Sequence, residues 1–322
     1  YCLLSTVYCL LSTVCRLSTV YFLLMELFRA LAVLVEPPER PGVERISGAL
    51  KLGALPASSA YTDIFVFQLY PYASVYVGAE GMLGGEARDR IAGFLAALGQ
   101  VPPQEPDHLA LMLGTYAELS EAEEMCTDAQ HRASLRGARR AFLWEHLLSW
   151  LPVYLDKLEQ IAPPFYLRWA EMLRAALDAE AESLGRQDSL PLHLREATGL
   201  VDPRKAIEGP ADPRQSSSEE FLQTLLAPSR SGIILVRDDL ARAARELQTG
   251  VRAGERRFAL RSLMGQDAAG TLGWLAAEAD AWEALHLRRR TSHGHIAEWW
   301  AARAAATAGL LRELKSEAEA RP

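Results

Sequence analysis

The stretch that decides the fold runs from 142 to 173 and has the sequence "FLWEHLLSWLPVYLDKLEQIAPPFYLRWAEML". Its apolar side chains recur at helical intervals, at Phe142, Leu147, Leu148 and Leu151 and then at Phe165, Trp169, Met172 and Leu173, and the last stripe continues beyond it to Leu177. Such spacing places apolar side chains on one face of a helix, where they can be buried against a neighbouring helix. The stretch therefore predicts packed helices.

The same periodicity extends toward the N-terminus. Further stripes fall at Leu27, Ala30, Leu31 and Leu34, at Ile91, Phe94, Leu95 and Leu98, and at Leu109, Met112, Leu113 and Tyr116. The prolines of "EPPERPG" end the first stripe, and Gly99 is placed as a stop for the second. No alternating strand-like run bounded by hairpin turns occurs in this part. Residues 25–185 are therefore predicted to form an all-α helical bundle.

A change of composition near Gly185 predicts a boundary. Residues 186–218 are rich in Pro, Gly and Ser and lack an apolar period, which predicts a linker or an ordered surface loop. Residues 219–322 resume helical patterns, with Ser218 as an expected N-cap and two helices over about 270–290 and 295–319. "GIILV" (232–236) fits either a short strand or a buried extended connection. We expect an additional C-terminal helical unit.

Residues 1–24 form a separate N-terminal segment. "YCLLSTV" occurs twice, at 1–7 and 8–14, and a shortened copy follows at 15–20. A perfect seven-residue repeat before the first methionine, Met25, indicates a translated tandem DNA repeat outside the fold. A membrane anchor is the alternative, but Arg16 and the recurrent Ser and Thr oppose insertion into a bilayer. We expect no stable membrane insertion.

Composition and charge narrow the function classes. The 322 residues carry a formal net charge of −7, which argues against nucleic acid as a partner because phosphate binding relies on surplus Lys and Arg. Residues 101–190 contain 15 Asp or Glu and eight Lys or Arg, so a basic ligand would be attracted there. Residues 229–262 carry eight Arg and four acids, which could meet an acidic surface, bind a phosphate or pair internally. Four cysteines, three of them before residue 25, give no disulfide framework and fit the cytoplasm.

Three stretches together resemble the TorD/DmsD/NarJ family of molybdoenzyme maturation chaperones. They are "FVFQLYPYASVYVGAEGML" (65–83), "EPDHLALMLGTYAEL" (105–119) and the stretch at 142–173. They match the family's aromatic segment with its Pro and Ser-Val-Tyr turn, its acid-Pro-Asp-His box, and its His helix followed by Trp and Pro. The resemblance covers about 25–185 and implies the helical bundle of the TorD/DmsD type.

The resemblance also implies a function. The protein would be a cytoplasmic chaperone, not an enzyme, that binds the twin-arginine signal peptide of a molybdopterin oxidoreductase and holds it until the cofactor is inserted. We expect no cofactor of its own, although the resemblance weakly implies contact with guanine nucleotide or the molybdenum cofactor. The client's identity is left open, and a monomer or a homodimer fits equally.

Asp107 and His108 are the first candidate peptide-binding residues. Asp107 follows Pro106 and precedes an apolar stripe, so its carboxylate is expected to cap the helix. The same carboxylate could also receive an arginine through charge-assisted hydrogen bonds. His108 would lie in the first turn, where the helix dipole disfavours its protonation.

Aromatic residues complete the candidate site. Tyr70, Tyr72 and Tyr76 surround Pro71, and their rings either fill the end of the bundle or contact an apolar or arginine-bearing peptide. Phe142, His146 and Trp150 fall at intervals of four, on one face of a helix expected to end at Pro152. That face fits the core and peptide binding equally.

Two other classes of function stay open. A helical enzyme could use Asp107 with His108 or His146, although no nucleophile motif accompanies them. A regulator could read DNA through a helix-turn-helix in residues 237–263, with Gly250 and Gly254 in its turn. No metal is expected, because His108, His131 and His146 lack the spacing of a zinc site.

Overall fold

The structure is a computed structural model that describes residues 24–187, 189–195, 209–250 and 254–320. Within these ranges the fold is all-α, as predicted, and the described residues contain no β-strand. The described part of the N-terminal half holds nine α-helices: α1 (24–33), α2 (Val43–Ala49), α3 (Ser58–Tyr61), α4 (Ala73–Val77), α5 (Gly85–Ala97), α6 (Leu109–Met125), α7 (Ala129–Ala141), α8 (Leu151–Ile161) and α9 (Pro164–Leu184).

Two of these helices continue as π-helix, in which the hydrogen bonds span five residues. Thr62–Gln68 follows α3, and Phe142–Leu147 follows α7. The wider turn of the second segment ends in an irregular stretch at 148–150 before α8 begins. The helix predicted to end at Pro152 therefore ends earlier, and that prediction was wrong. Pro152 lies in the first turn of α8, where a residue without an N–H costs no helical hydrogen bond.

The C-terminal half is also helical. It holds α10 (Ser218–Leu225), α11 (Pro228–Ser231), α12 (Arg237–Glu246), α13 (Arg256–Gln266), α14 (Ala268–Arg288), α15 (Arg290–His293) and α16 (His295–Ala320). α14 and α16 pack along each other and confirm the two helices predicted there. The expected cap of α10 is displaced by one residue, because Ser217 and not Ser218 accepts the N–H of Glu220.

"GIILV" forms a buried extended connection between α11 and α12. Ile233, Ile234, Leu235 and Val236 are all buried and lie outside regular secondary structure. Gly232 precedes them with a φ of +74°, and a Cβ there would lie 2.3 Å from the backbone nitrogen of Ala304. The chain can pass this close to α16 only with a glycine at this position.

One buried apolar cluster runs through both halves. The predicted stripe of α6 is wholly buried, and Trp169 reaches α1 through a hydrogen bond from Nε1 to the Leu31 carbonyl at 3.0 Å. Trp300 of α16 donates in the same way to the Ser149 carbonyl at 3.0 Å. The C-terminal helices therefore share the core of the N-terminal helical bundle.

The predicted segments at the boundaries are described only in part. Of residues 1–24 only Leu24 is described, so the repeat and its alternative as an anchor lie outside the described residues. Within 186–218, residues 188 and 196–208 lie outside them too. The described remainder includes a 3₁₀ turn at Leu192–Leu194 and a turn in which Asp212 accepts the N–H of Arg214, and the choice between a linker and an ordered surface loop stays a prediction.

Candidate functional site

Two of the predicted motifs meet in space. Tyr72 and His108 form an isolated antiparallel bridge. The Leu109 N–H donates to the Pro71 carbonyl at 2.8 Å, and the Ala73 N–H donates to the Asp107 carbonyl at 3.0 Å. The "YPY" segment before α4 and the "PDH" segment before α6 are thereby held side by side. We call the surface formed by Tyr70, Tyr72, Glu105 and His108 the bridge face.

Asp107 does not cap α6, so the predicted capping role was wrong. The N-cap is His108, whose Nδ1 accepts the N–H of Ala110 at 3.3 Å. Asp107 is buried, and its Oδ2 accepts the N–H of Ser74 at 3.3 Å. The N–H groups in the first turn of a helix have no partner within the helix. The bridge between Tyr72 and His108 brings one of them, the Ser74 N–H of α4, to the Asp107 carboxylate, which accepts its hydrogen bond. Asp107 therefore positions the bridge, and its direct contact with a ligand stays a prediction.

The His108 ring is half-buried and lies edge-on to the Tyr72 ring, with centroids 4.8 Å apart. Burial lowers the pKa of His108, against the opposing effect of Glu36, Glu105 and Asp107. The direction agrees with the prediction, but desolvation and not the helix dipole is the main cause. Since Nδ1 accepts a hydrogen bond, we assign the ring proton to Nε2. A neutral imidazole at this position does not repel a cation.

The three tyrosines divide between surface and core. Tyr72 is half-buried and donates to Glu105 Oε2 at 3.0 Å, and burial together with this bond raises the pKa of Tyr72 to about 12. Tyr70 is half-buried and its carbonyl accepts the hydroxyl of Tyr76 at 2.7 Å. Tyr76 is buried and stacks on Trp150, with centroids 5.2 Å apart. Tyr70 and Tyr72 are thus the accessible pair.

Phe142, His146 and Trp150 are buried in the core, at 0%, 7% and 0% exposure. His146 Nδ1 lies 2.8 Å from Nε2 of His193, and its carbonyl accepts the indole N–H of Trp150 at 2.9 Å. Burial, aided by Arg90, lowers the pKa of His146 to about 4. These contacts fit the core alternative, and direct peptide contact by these three residues stays a prediction.

His193 was missed by the sequence analysis. It lies in the loop after α9, where "LPLHL" gives no periodicity and no motif. Its only signal is an imidazole between two leucines, which is consistent with burial. Its ring is buried against His146 and its pKa is held well below the usual value by burial.

Glu36, in the loop after α1, acts on the bridge face, and the sequence analysis missed it too. "EPPERPG" was interpreted only as a helix terminator, yet Glu36 acts electrostatically on His108, and both Glu36 and Glu39 act on Tyr61. Arg40 partly offsets this charge through an ion pair with Glu36 at 3.3 Å. Glu36 and Glu105 together give the bridge face an acidic border.

The enzyme alternative requires a dyad of Asp107 with His108 or His146, and the described residues do not form one. Among the described residues no hydrogen bond joins Asp107 to His108 or to His146, since the carboxylate faces Ser74 and His146 faces His193. Of the described chain, no three His, Cys, Asp or Glu side chains gather as metal ligands. His108, His131 and His146 each lie in separate surroundings.

The arginines of 229–262 pair largely within the protein. Arg242 bonds Glu278 at 2.9 Å, and Arg257 and Arg261 share Glu219. α12 ends at Glu246 and α13 begins at Arg256, so the connection through Gly250 and Gly254 exceeds the roughly three- or four-residue turn of a helix-turn-helix. In the described ranges, no helix combines the length and apolar character that crossing a membrane requires.

Known proteins are similar to this chain in the part that carries the bridge face. The family model described as "Nitrate reductase delta subunit" matches residues 41–156. A protein named "Chaperone protein TorD" from Vibrio vulnificus is 38% identical over 91 residues, which cover 27% of this chain and 42% of the relative. Residues 41–156 are therefore similar to the TorD/DmsD/NarJ family.

Two more relatives carry the same name. One from Vibrio cholerae is 34% identical over 94 residues, covering 28% of this chain and 42% of its own length. One from Vibrio parahaemolyticus is 31% identical over 110 residues, covering 33% and 51%. The chain thus spans about half the length of the curated relatives it matches. The region matched by the family model contains α2 to α7 and both segments of the Tyr72–His108 bridge, whereas α9 to α16 lie beyond it.

Proposed function

We propose that this chain is a cytoplasmic maturation chaperone for a molybdenum-containing oxidoreductase, and that it holds the client's twin-arginine signal peptide until the cofactor is inserted. The match of residues 41–156 to the family model and the similarity to relatives named as TorD chaperones support the chaperone role. The observation that carries the peptide-binding part is the Tyr72–His108 bridge, which presents two rings beside a border of glutamates.

The bridge face has the chemistry that an arginine pair needs. Glu105 is exposed and can accept a guanidinium fork through two charge-assisted hydrogen bonds. The rings of Tyr72 and neutral His108 offer faces on which a second guanidinium can stack. Glu36 adds negative charge near His108, which speeds the arrival of a basic peptide.

Apolar side chains in the same segments suit the hydrophobic part of a signal peptide. Val66 and Phe67 precede Tyr70 and are 44% and 46% exposed, and Leu111 follows His108 and is 41% exposed. Apolar side chains this exposed next to a charged border are typical of peptide-binding surfaces. We propose that the peptide's apolar stretch lies over them.

A calorimetric titration of the full chain with a synthetic twin-arginine signal peptide tests this proposal. We expect binding, weaker binding of a lysine-for-arginine peptide, and a loss of about tenfold for Glu105→Gln. Glu118→Gln, an exposed glutamate further along α6, is the matched control and should bind as the wild type does. Equal affinity for both peptides, or an equal loss in both variants, overturns the peptide-binding proposal.

Asp107→Asn separates positioning from contact. Because Asp107 is buried and holds Ser74, the substitution should lower the melting temperature as well as the peptide affinity. Glu105→Gln should lower the affinity alone. A variant Asp107→Asn that keeps full stability but loses the peptide would show that its carboxylate contacts the ligand directly.

A further inference from the structure

An open groove of about 370 Å³ lies between the loop after α2 and the first half of α9. Its lining consists of Leu50, Lys51, Leu52, Arg168, Glu171 and Met172. The groove shares no residue with the bridge face. Its volume lies within the range of about 300–1,000 Å³ that is common for small-molecule sites.

Arg168 is fixed in this groove by the backbone of the loop. Its Nη1 donates to the Leu52 carbonyl at 2.9 Å. Gly53 has a φ of +93°, and a Cβ there would lie 2.5 Å from the same Nη1, so only glycine lets the guanidinium approach. Arg168 is exposed, and among the described residues its only hydrogen-bond acceptor is the Leu52 carbonyl, not a carboxylate. The rest of its planar fork is free for a ligand.

Lys51 adds a second cation in a strained conformation. Its φ is +55°, in the left-handed region that disfavours side chains with a Cβ. It follows the end of α2, and its N–H donates to the Gly48 carbonyl at 3.2 Å, at a position where helices usually place glycine. A lysine there costs about 1 kcal/mol. Its exposed ammonium has no carboxylate partner in the described chain.

We propose that this groove binds a zwitterion of amino-acid size with an apolar side chain. The fork of Arg168 takes the carboxylate bidentately, and Lys51 supplies the second positive charge. Glu171 attracts the ligand's ammonium group, while Leu50 and Met172 contact its side chain. Two cations and one carboxylate around an apolar floor match such a ligand better than they match a dianion.

Calorimetric titrations of the full chain with L-leucine, N-acetyl-L-leucine, L-leucinamide and inorganic phosphate test the assignment. We expect L-leucine to bind in the millimolar range, N-acetyl-L-leucine to bind several-fold more weakly, and the other two not to bind. Arg168→Gln should weaken L-leucine binding by about tenfold or more. The proposal is overturned if phosphate binds as tightly as L-leucine. It is also overturned if L-leucine shows no binding at about 50 mM, in the upper millimolar range.

The variant Lys51→Gly distinguishes the loss of a binding group from a loss of folding. Glycine suits the left-handed conformation, so the melting temperature should hold or rise while the affinity for L-leucine falls several-fold. Arg45→Gln removes an exposed cation of α2 outside the groove and is the matched control. Unchanged affinity in Lys51→Gly, or an equal loss in Arg45→Gln, contradicts the proposal.

Discussion

Adjacent polar residues at one helix start have different partners. Asp107 follows a proline and precedes an apolar stripe, which is the usual setting of an N-cap, yet His108 caps α6 instead. The carboxylate is taken by the Ser74 N–H, which lies 33 residues away in the chain. The local sequence shows that Asp107 and His108 can each accept a hydrogen bond. Which N–H each of them accepts depends on the pairing of the segment before α4 with the segment before α6.

A buried histidine outside the bridge face gives a pH prediction. His286 is buried, its Nε2 donates to the Gly232 carbonyl at 2.8 Å, and burial lowers its pKa to about 4. In the unfolded chain the pKa returns to about 6.5. Between these values the unfolded state binds more protons, so the free energy of unfolding falls as the pH falls.

His286→Gln should therefore flatten the pH dependence of stability. Glutamine can keep the hydrogen bond to Gly232 but takes up no proton. Urea unfolding between pH 5 and 6 should show a slope smaller than that of the wild type by up to about 1.4 kcal/mol per pH unit. His295→Gln, which removes an exposed imidazole, is the control. An unchanged slope in His286→Gln would contradict a neutral buried imidazole.

At the scale of elements, local periodicity predicted where helices lie. The stripe at Leu109, Met112, Leu113 and Tyr116 is wholly buried, and α5 ends just before Gly99, whose φ is +78°. An apolar stripe and a glycine stop are local signals, because a helix is closed by hydrogen bonds four residues apart. They need no knowledge of distant residues.

The break before α8 could not be predicted in this way. Phe142, His146 and Trp150 keep the spacing of one helical face, although π-helix and an irregular stretch separate them from α8. The break depends on tertiary contacts, such as the bond of the Trp300 indole to the Ser149 carbonyl. The sequence likewise placed Tyr70, Tyr72 and His108 in a site, but it could not say which of the candidates would be buried.

The loop after α9 depends on one carboxylate of the π-helical segment. Glu145 accepts hydrogen bonds from Gln187 Nε2 and from the Leu192 N–H. Glu145→Gln removes the charge and turns one acceptor into a donor, so amide exchange in residues 189–195 should speed up by about tenfold. Hydrogen exchange with mass spectrometry measures this, with the exposed Glu182→Gln as control. Equal protection in both variants would show that Glu145 does not hold the loop.

On the scale of the whole molecule, charged contacts accompany the shared apolar core. Asp156 of α8 is buried and accepts hydrogen bonds from Arg174 and from Arg289 at the end of α14, the latter at 3.0 Å from Nε. His293 bonds Asp178 of α9 at 3.0 Å. These pairs join the helices before Gly185 to the helices after it, although the composition changes at that point. We therefore expect the two parts of the chain to unfold together.

The buried pair of Lys157 and Asp239 tests this expectation. Lys157 Nζ lies 2.8 Å from Asp239 Oδ2, with the lysine side chain wholly buried. Lys157→Met leaves a buried carboxylate with less compensation, which should lower the free energy of unfolding by about 3 kcal/mol. Adding Asp239→Asn should restore part of the loss. Lys315→Met, at a half-exposed position of α16, is the control and should change the stability little.

Urea unfolding followed by tryptophan fluorescence and by far-UV circular dichroism gives the decisive readout. In the wild type and in Lys157→Met both signals should follow one coincident transition, shifted to lower urea in the variant. If the N-terminal and C-terminal halves unfolded independently, Lys157→Met would remove only a contact between them. Fluorescence or circular dichroism would then show an unfolding transition at the same urea concentration in the wild type and the variant. A shift of the whole curve requires that α8 and α12 belong to one cooperative unit, because a local break cannot lower the stability of helices on both sides of it.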